Sequence, residues 1–586
     1  MSGTPGGVTA VADRPEAARA RATTVTPWRP PPSRAVVARC VQVVGALDAV
    51  FAVLPSWHHR MASMAHLLPT AGMVTARAAT AVVGVLLVYL GAGLRRGKRR
   101  AWQLAAWLCG LSIGLHMVKA SPAPAVVSAV LLLVLIVERH RFRARGDVGT
   151  RWRALGVCAG FIGTGFLLGL VEVALRAGQI AGPAGPLQWA QHVALGMVGV
   201  TGPLRFDHPA TTTAVDLTTG AFGLLGFGVG AVLLLRPGTR RAGWADGEEA
   251  RVRDLLSCHG DADSLGYFAL RRDKSFIWAP SRRAAVAYRV VNGVSLASGD
   301  PLGNPAAWPE AIAAWLSDCD AHGWTPAVLA CSTTGGTAYR RLGLDVIELG
   351  DEAVLDVPGF SLQGRPMRTV RQAVARTRRA GYTVEVARQR DLDDAVLDEA
   401  RTCAGAFRHS SVERGYSMAL SRFGETGDGD CLVVLCRDGE GRVRGLLQFV
   451  PWGESGLSLD LMRGDRSAEN GITELMITSA VEFAAASGIR RISLNFAMLR
   501  SVLARAEQLG AGPVTRLWAR ILRAFSGWWQ IESLYRANAK YQPQWQPRFL
   551  CFPSARDLPR IAVAALSAEA FLPSGRRRSE DGRRCD

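Results

Sequence analysis

Apolar residues are distributed unevenly along the chain: they run in long blocks through roughly the first 240 positions and alternate with polar residues thereafter. The blocks fall at about 36–55, 74–94, 102–118, 122–137, 154–175 and 217–235. Each approaches the length a helix needs to cross a hydrocarbon core of about 30 Å, so six spans are expected. The third and fourth are short, and the moderately apolar stretch from Trp189 to Val200 reads as re-entrant or interfacial. Residues 1–34, with several Arg, many Ala and Thr, and Pro30-Pro31-Pro32, show no periodicity and read as a disordered basic tail. The apolar run after Arg34 lacks a small-residue cleavage pattern and reads as a retained span. A transmembrane domain over 35–240 follows.

From about Glu248 the period changes to short β-like runs between amphipathic stretches, the pattern of an α/β domain. Phe276 to Trp278, Ala285 to Val291 and Val294 to Ser298 read as strands, and Trp308 to His322 as a helix. A strand at Ala327 to Ala330, a segment bearing Tyr339 and a strand at Asp345 to Leu349 complete the series. This order resembles half of a GNAT acyltransferase fold. It recurs: Cys431 to Cys436, Val443 to Val450 and Leu457 to Met462 form a meander, Ile472 to Ser487 a helix, and Arg491 to Phe496 a strand. The expected fold is therefore a polytopic α-helical membrane domain followed by a cytosolic α/β domain of two tandem GNAT-like units. Their limits are 248–365 and 366–560, with the basic helix Met367 to Arg379 leading into the second and a basic tail at 561–586. The acetyl-CoA loop pattern Q/R-x-x-G-x-G/A occurs only at Arg240 to Ala245 and Gln179 to Ala184, at membrane edges with no strand leading in. A different acyl donor is implied.

Charge sets the orientation. The chain carries 69 Lys+Arg against 49 Asp+Glu, a net charge of +20 that favours an anionic partner. The basic segments are the tail before Arg39, Arg95 to Arg100, Arg139 to Arg153 and Arg236 to Arg241. With six spans all four lie on one side, which places the amino terminus and the globular half in the cytoplasm of a multi-pass cell-membrane protein. Asp48 and Glu172 fall within spans and receive no chemistry. The eleven cysteines form neither a disulfide framework nor a zinc pattern, so no metal or cofactor is expected.

Candidate chemistry concentrates late in the chain. Asp460 interrupts the apolar alternation of Leu457, Leu459 and Leu461, and faces either a cleft or plain solvent. Arg463 lies just past the strand end, suited to a phosphate or a carboxylate. Asn470 and Gly471 form the turn before the helix bearing Glu474, whose carboxylate either serves a site or favours the helix start. Asn495 donates to the same site or satisfies backbone groups. The arginines Arg365, Arg368, Arg371, Arg376, Arg378 and Arg379 follow an RNA backbone or form a solvated face. Val514 to Phe525, with arginines on one face and Trp528-Trp529 beyond, is an interfacial or a core helix.

Two strings bear on Asp460 and Glu474. Leu457-Ser458-Leu459-Asp460-Leu461-Met462-Arg463-Gly464-Asp465-Arg466 with Asn470-Gly471-Ile472-Thr473-Glu474, and Asn538-Ala539-Lys540-Tyr541-Gln542-Pro543 with Pro547-Arg548-Phe549, resemble the catalytic region of the aminoacyl-phosphatidylglycerol synthases. These are the transferase part of the multiple peptide resistance factor family, and the resemblance covers the second half of the chain. It implies an aminoacyltransferase of the phosphatidylglycerol lysyltransferase type. The enzyme would move lysine or alanine from aminoacyl-tRNA to phosphatidylglycerol, changing membrane charge and cationic-peptide resistance, without ATP or metal. Asp460 would assist deprotonation of the lipid hydroxyl, and Arg463 and Lys540 would place phosphate or stabilise the oxyanion. Glu474, Asn470, Asn495 and Arg548 would bind substrate, Arg548 as a phosphate contact, and Arg368, Arg371, Arg376 and Arg378 would hold tRNA. Alternatives keep the fold with another lipid or a cell-wall precursor as acceptor, or make the chain a non-catalytic binder of tRNA or anionic lipid. Self-association is left open.

Overall fold

The computed structural model describes residues 32–53, 70–118, 122–142, 144, 148–200, 202–234, 243–408, 415–498 and 536–571. The amino-terminal tail through residue 31, Val514 to Phe525 and residues 572–586 lie outside the described residues.

Seven helices come first: α1 (Pro32–Val53), α2 (Thr70–Arg95), α3 (Arg99–Val118), α4 (Pro122–Val137), α5 (Val148–Leu175), α6 (Pro186–Met197) and α7 (Pro209–Leu234). Each expected span falls on one of the six long helices, and the interfacial stretch overlaps α6. Among the described residues, two segments are long and apolar enough to cross a membrane, Pro122–Arg141 and Gly156–Leu175, while the apolar parts Thr80–Arg95 and Ala214–Gly230 are shorter. Helix α1 carries Arg34, Arg39, Gln42 and Asp48, and α3 carries Arg99, Arg100, Gln103 and His116.

Helices α1–α4 share one apolar cluster around Val41, Leu87, Leu90 and Leu135, and α5–α7 a second around Val173, Val193 and Val215. The backbones of α1 and α2 touch where small residues allow it, since a Cβ on Gly45 would stand 2.6 Å from the Gly84 carbonyl oxygen. Asp48 is buried, accepting from Ser112 Oγ at 2.9 Å with His116 Nε2 at 3.2 Å, and Glu172 pairs with Arg176 at 3.1 Å.

The remainder builds one continuous sheet. After α8 (Glu248–His259) come β1 (Ser275–Trp278), β2 (Ala284–Val291), β3 (Val294–Ser298), β4 (Leu302–Gly303), α9 (Trp308–His322), β5 (Thr325–Cys331), α10 (Thr333–Arg341) and β6 (Asp345–Asp356). The second series is α11 (Arg368–Arg379), β7 (Thr383–Arg388), α12 (Asp394–Ala406), β8 (Leu432–Arg437), β9 (Val443–Trp452), β10 (Gly456–Gly464), α13 (Ile472–Ala486) and β11 (Arg491–Met498). The chain closes with β12 (Gln544–Phe552) and α14 (Leu558–Ala568). Strand order is β1-β2-β3-β5-β12-β6-β11-β10-β9-β8-β7, with β4 on β2. Both series repeat one plan, an antiparallel meander followed by a parallel crossover, β3 to β5 and β10 to β11.

The two series part near residue 365, but the far end of the chain returns to the first. Strand β12 lies between β5 and β6, antiparallel to both, and buries Leu550, Cys551 and Phe552. Helix α14 packs Leu558, Ile561 and Ala564 into one core with Leu550 and Phe552, so the expected limit at 560 cuts through a buried helix. The first unit is thus completed by the far end of the chain, and nothing in local periodicity encodes that pairing. Helix α11 buries Val370, Ala373, Val374 and Thr377 and leaves its arginine face outside. It crosses the start of α13 closely: Gly471 sits at φ +115°, and a Cβ there would meet Thr377 Oγ1 at 2.7 Å.

Candidate active site

Strands β10 and β11 pair over only three residues, Gly456↔Arg491, Leu457↔Ile492 and Ser458↔Ser493, and then splay. Both arms are irregular just beyond. β10 shifts register against β9 between Leu459 and Leu461, and β11 shifts against β6 between Ser493 and Phe496. The extra residue in β10 is Asp460. In a regular strand Leu457, Leu459 and Leu461 would share one face; with the bulge, Leu457 and Leu459 join the core under α11 and α13 while Leu461 joins Val433 and Leu446 on the other side. Asp460 Oδ1 accepts the Leu420 N–H at 2.6 Å. In the opposite arm Asn495 adopts φ +69°, a conformation Asn tolerates better than most residues. Its Nδ2 donates to the Leu459 carbonyl at 2.8 Å, which brings Asn495 and Asp460 to the same opening.

A second group gathers at the start of α13. Lys540 follows the helical turn 536–539 and places Nζ 2.5 Å from Glu474 Oε1, with the two side chains 25% and 16% exposed. Asn538 Nδ2 reaches the Leu494 carbonyl at 3.4 Å, which ties this string to β11 beside Asn495. Lys540 Nζ also lies 5.1 Å from the Tyr541 ring centre. Burial, with the Glu474 carboxylate adding to it, pushes the Tyr541 phenol well above its ordinary value. Its hydroxyl has no hydrogen-bond partner among the described residues.

The other expected site residues are placed differently. Arg463 is half-buried at the end of β10 and donates to the Met462 carbonyl at 3.3 Å. Asn470 is exposed, and the contact it makes is through its carbonyl, which accepts from Arg376 Nη2 at 2.6 Å. Arg548 is no surface phosphate contact. Lying in central strand β12, it is buried, with Nη1 2.6 Å from Asp263 Oδ1 and Nε 2.8 Å from Glu352 Oε2. Burial by itself would lower its pKa, and the Asp263 and Glu352 carboxylates overcome that and raise it.

On α11, Arg371 Nη1 donates to the carbonyls of Leu362 at 2.5 Å and Gly364 at 3.2 Å, which makes it a brace for the preceding loop. Arg376 and Arg378 stand 3.4 Å from Glu469 and 3.6 Å from Glu482, and Arg368 is exposed. Such long exposed pairs hold a cation weakly and leave it available to a polyanion.

Gln448 escaped the sequence reading. It is fully buried on β9 opposite Leu461, next to the bulge, and neither amide atom has a hydrogen-bond partner among the described residues. The polar neighbour nearby is the Cys431 thiol, a weak partner. The available signal was one amide inside Leu446-Leu447-Gln448-Phe449-Val450. Burial first, then Asp428 and Asp460, push the Cys431 thiol up. Among the described residues no group of His, Cys, Asp and Glu could hold a metal ion.

The first series lacks such an opening. β3 and β5 stay paired through Ser298↔Leu329, and the Asp300 carboxylate fills the start of α10, accepting from Ser332 N at 2.8 Å and Ser332 Oγ at 2.6 Å. Burial and the Asp263 carboxylate push Asp300 up to about 7.

Comparison with known proteins adds the following. Residues 253–552 match the family described as "Phosphatidylglycerol lysyltransferase, C-terminal", and residues 32–235 match "Transmembrane region of lysyl-tRNA synthetase". The chain is 42% identical over 496 residues to the lysylphosphatidylglycerol biosynthesis bifunctional protein LysX of Rhodococcus opacus (strain B4), covering 83% of this chain and 44% of that protein. It is 44% identical over 502 residues to LysX of Mycobacterium marinum, covering 83% and 45%. The chain thus spans less than half the length of these curated relatives. Among solved structures, L-PGS from Bacillus licheniformis matches with a TM-score of 0.49 and 20% identity, covering 55% of this chain and 97% of that one.

Proposed function

Given that the chain belongs to the phosphatidylglycerol lysyltransferase C-terminal family over residues 253–552, we propose that it transfers an aminoacyl group, lysine foremost, from aminoacyl-tRNA to phosphatidylglycerol at the cytoplasmic leaflet. The observation that carries this reading is the splay between β10 and β11, with Asp460 and Asn495 at its opening and the Glu474–Lys540 pair beside β11. The region matched at residues 32–235 associates the chain with the membrane, and the relatives named for lysylphosphatidylglycerol favour lysine.

The chemistry exchanges one ester for another. Asp460 takes the proton of the lipid glycerol hydroxyl as its oxygen attacks the aminoacyl carbonyl. The Leu420 N–H, bonded to Oδ1, fixes the orientation of the carboxylate for that step. Glu474 binds the ammonium group of the aminoacyl moiety in place of Lys540, which turns the Lys540 ammonium toward the developing oxyanion; Asn495 and Arg463 supply further donors. On collapse the bond to the ribose oxygen breaks, and the proton held by Asp460 passes to that oxygen.

The exposed face of α11 receives the tRNA backbone through Arg368, Arg376 and Arg378, and Asn470 orders the adjoining turn. The placement of the transferase against the helix ends supports the cytoplasmic orientation. Arg34 at the start of α1 bonds Asp320 at 2.6 Å, and a Cβ on Gly323 would contact the Arg96 carbonyl at 3.0 Å and Ala144 Cβ at 3.2 Å. The start of α1, the turn after α2 and the segment after α4 therefore share the side that carries the transferase. The test is to incubate the full chain in vesicles of phosphatidylglycerol and diacylglycerol with tRNA charged with radiolabelled lysine and to extract the lipid. Label in a phosphatidylglycerol derivative is expected; label confined to another lipid, or absent, overturns the acceptor or the activity.

A further inference from the structure

We infer that Arg548, with Glu352 and Ser264, is a positioning hub that sets the apex of the splay and thereby aims Asn495 and Asp460. The inference rests on the activity proposed above for that cleft.

The apex is the last paired couple, Ser458 on β10 and Ser493 on β11. Both serines are anchored to the same buried core. Ser458 Oγ donates to the Ser264 carbonyl at 2.7 Å, and Ser493 Oγ donates to Glu352 Oε1 at 2.5 Å. Ser264 Oγ donates to the same Oε1 at 2.5 Å, so one carboxylate oxygen joins the anchors of the two arms. Arg548 then holds the other oxygen, with Nε at 2.8 Å and Nη2 at 2.5 Å, and reaches Asp263 and Ser264 with the rest of its fork.

The hub extends one step further into the cleft. A hydroxyl has a single proton, and that of Ser493 is committed to Glu352, so its lone pairs face outward. One accepts the Asn495 N–H at 3.2 Å. At this register shift β6 supplies no partner between Ser493 and Phe496, so the serine satisfies a backbone donor that the sheet leaves behind. With its N–H held, Asn495 stays left-handed and its amide spans to Leu459, the residue before Asp460.

The chemistry of the hub explains the residue types. A planar guanidinium satisfies Asp263 and Glu352 together, which an ammonium on a flexible stem does not. Glu352 lies on β6 and Arg548 on β12, both outside the meander that carries the catalytic groups. The late strand insertion is therefore what couples the first unit to the cleft of the second. The first unit, whose own crossover stays closed, contributes by holding the fork open.

The test uses the full chain and begins with the mildest variant. Ser493→Ala is expected to lower kcat for lipid aminoacylation by on the order of tenfold while KM for lipid and for aminoacyl-tRNA changes little. Amide hydrogen exchange at residues 493–496 should quicken, and Ser493→Thr, which keeps the hydroxyl, should restore both readouts. Ser458→Ala, on the other arm, should show a smaller loss of the same kind and serves if Ser493→Ala fails to fold. Unchanged kcat and unchanged exchange in Ser493→Ala overturn the inference, as does an equal loss in Ser493→Thr. If the unaltered protein transfers nothing to lipid, the proposed function fails, and the exchange measurement alone then decides whether the hub holds Asn495.

Discussion

Lys540 and Glu474, 66 residues apart in sequence, meet at 2.5 Å at the start of α13. Partly exposed, the pair stabilises the fold by about 1 kcal/mol or less. Under the proposed function the pair offers a substrate a carboxylate for an ammonium group and a cation for an oxyanion.

Lys540→Ala should accordingly cut turnover by on the order of a hundredfold, with a melting midpoint close to that of the unaltered chain. Glu474→Gln should instead raise KM for aminoacyl-tRNA more than it lowers kcat. Steady-state transfer of labelled lysine, with melts alongside, separates the two. An unchanged kcat in Lys540→Ala would remove this residue from the chemistry.

Asp460→Asn keeps an acceptor for the Leu420 N–H but loses basicity. Turnover should fall by on the order of a hundredfold or more while tRNA binding persists. Near-normal transfer would refute its role as base. Lost transfer with a collapsed melt would make it a structural residue.

Gln448 is buried with its amide matched, among the described residues, by nothing stronger than the Cys431 thiol, a state that costs about 1–3 kcal/mol per unsatisfied group. Gln448→Met, similar in volume and without those groups, should therefore raise the melting midpoint. A lower midpoint would show that the amide is satisfied in solution.

Asp300 gives the fold a pH dependence. Its pKa rises from 3.8 to about 7 on folding, so the folded state holds a proton that the unfolded chain releases between those values. The stability it contributes is complete below the unfolded value and is lost as pH rises through about 7. The melting midpoint of the full chain should fall between pH 5 and 8 more steeply than that of Asp300→Asn. Parallel profiles would mean that Asp300 stays ionised throughout.

Binding of tRNA should weaken steeply with salt, because each phosphate that a cation neutralises releases counterions. Replacing Arg368, Arg376 and Arg378 with Gln should raise Kd and flatten the slope of log K against log salt by about 1 for each arginine that pairs with a phosphate, as read by titration at several salt concentrations. Arg371→Gln should act differently and loosen the 362–364 loop it braces. A slope unchanged in the triple variant would assign the positive charge to the membrane.

Whatever depends on near neighbours could be read from the order of residues alone. Helix α9 begins and ends at the expected residues, the six apolar blocks became the six long helices, and β8 to β11 follow the expected order, because period and run length are local properties. Asp460, Glu474 and Lys540 stand out as candidates for a related reason: a charge inside an apolar alternation, at a helix start or within a family string is visible one residue at a time. The rest emerged only in the folded chain. Folding placed β12 between β5 and β6, turned Arg548 from a phosphate contact into a buried hub, and brought Lys540 to Glu474. It also put a bulge at Asp460 that sends Leu461 to the opposite face. Pairing between strands far apart in the chain is selected by the core they fill together, and a single extra residue in a strand reverses every side chain beyond it, so neither outcome is written in local periodicity.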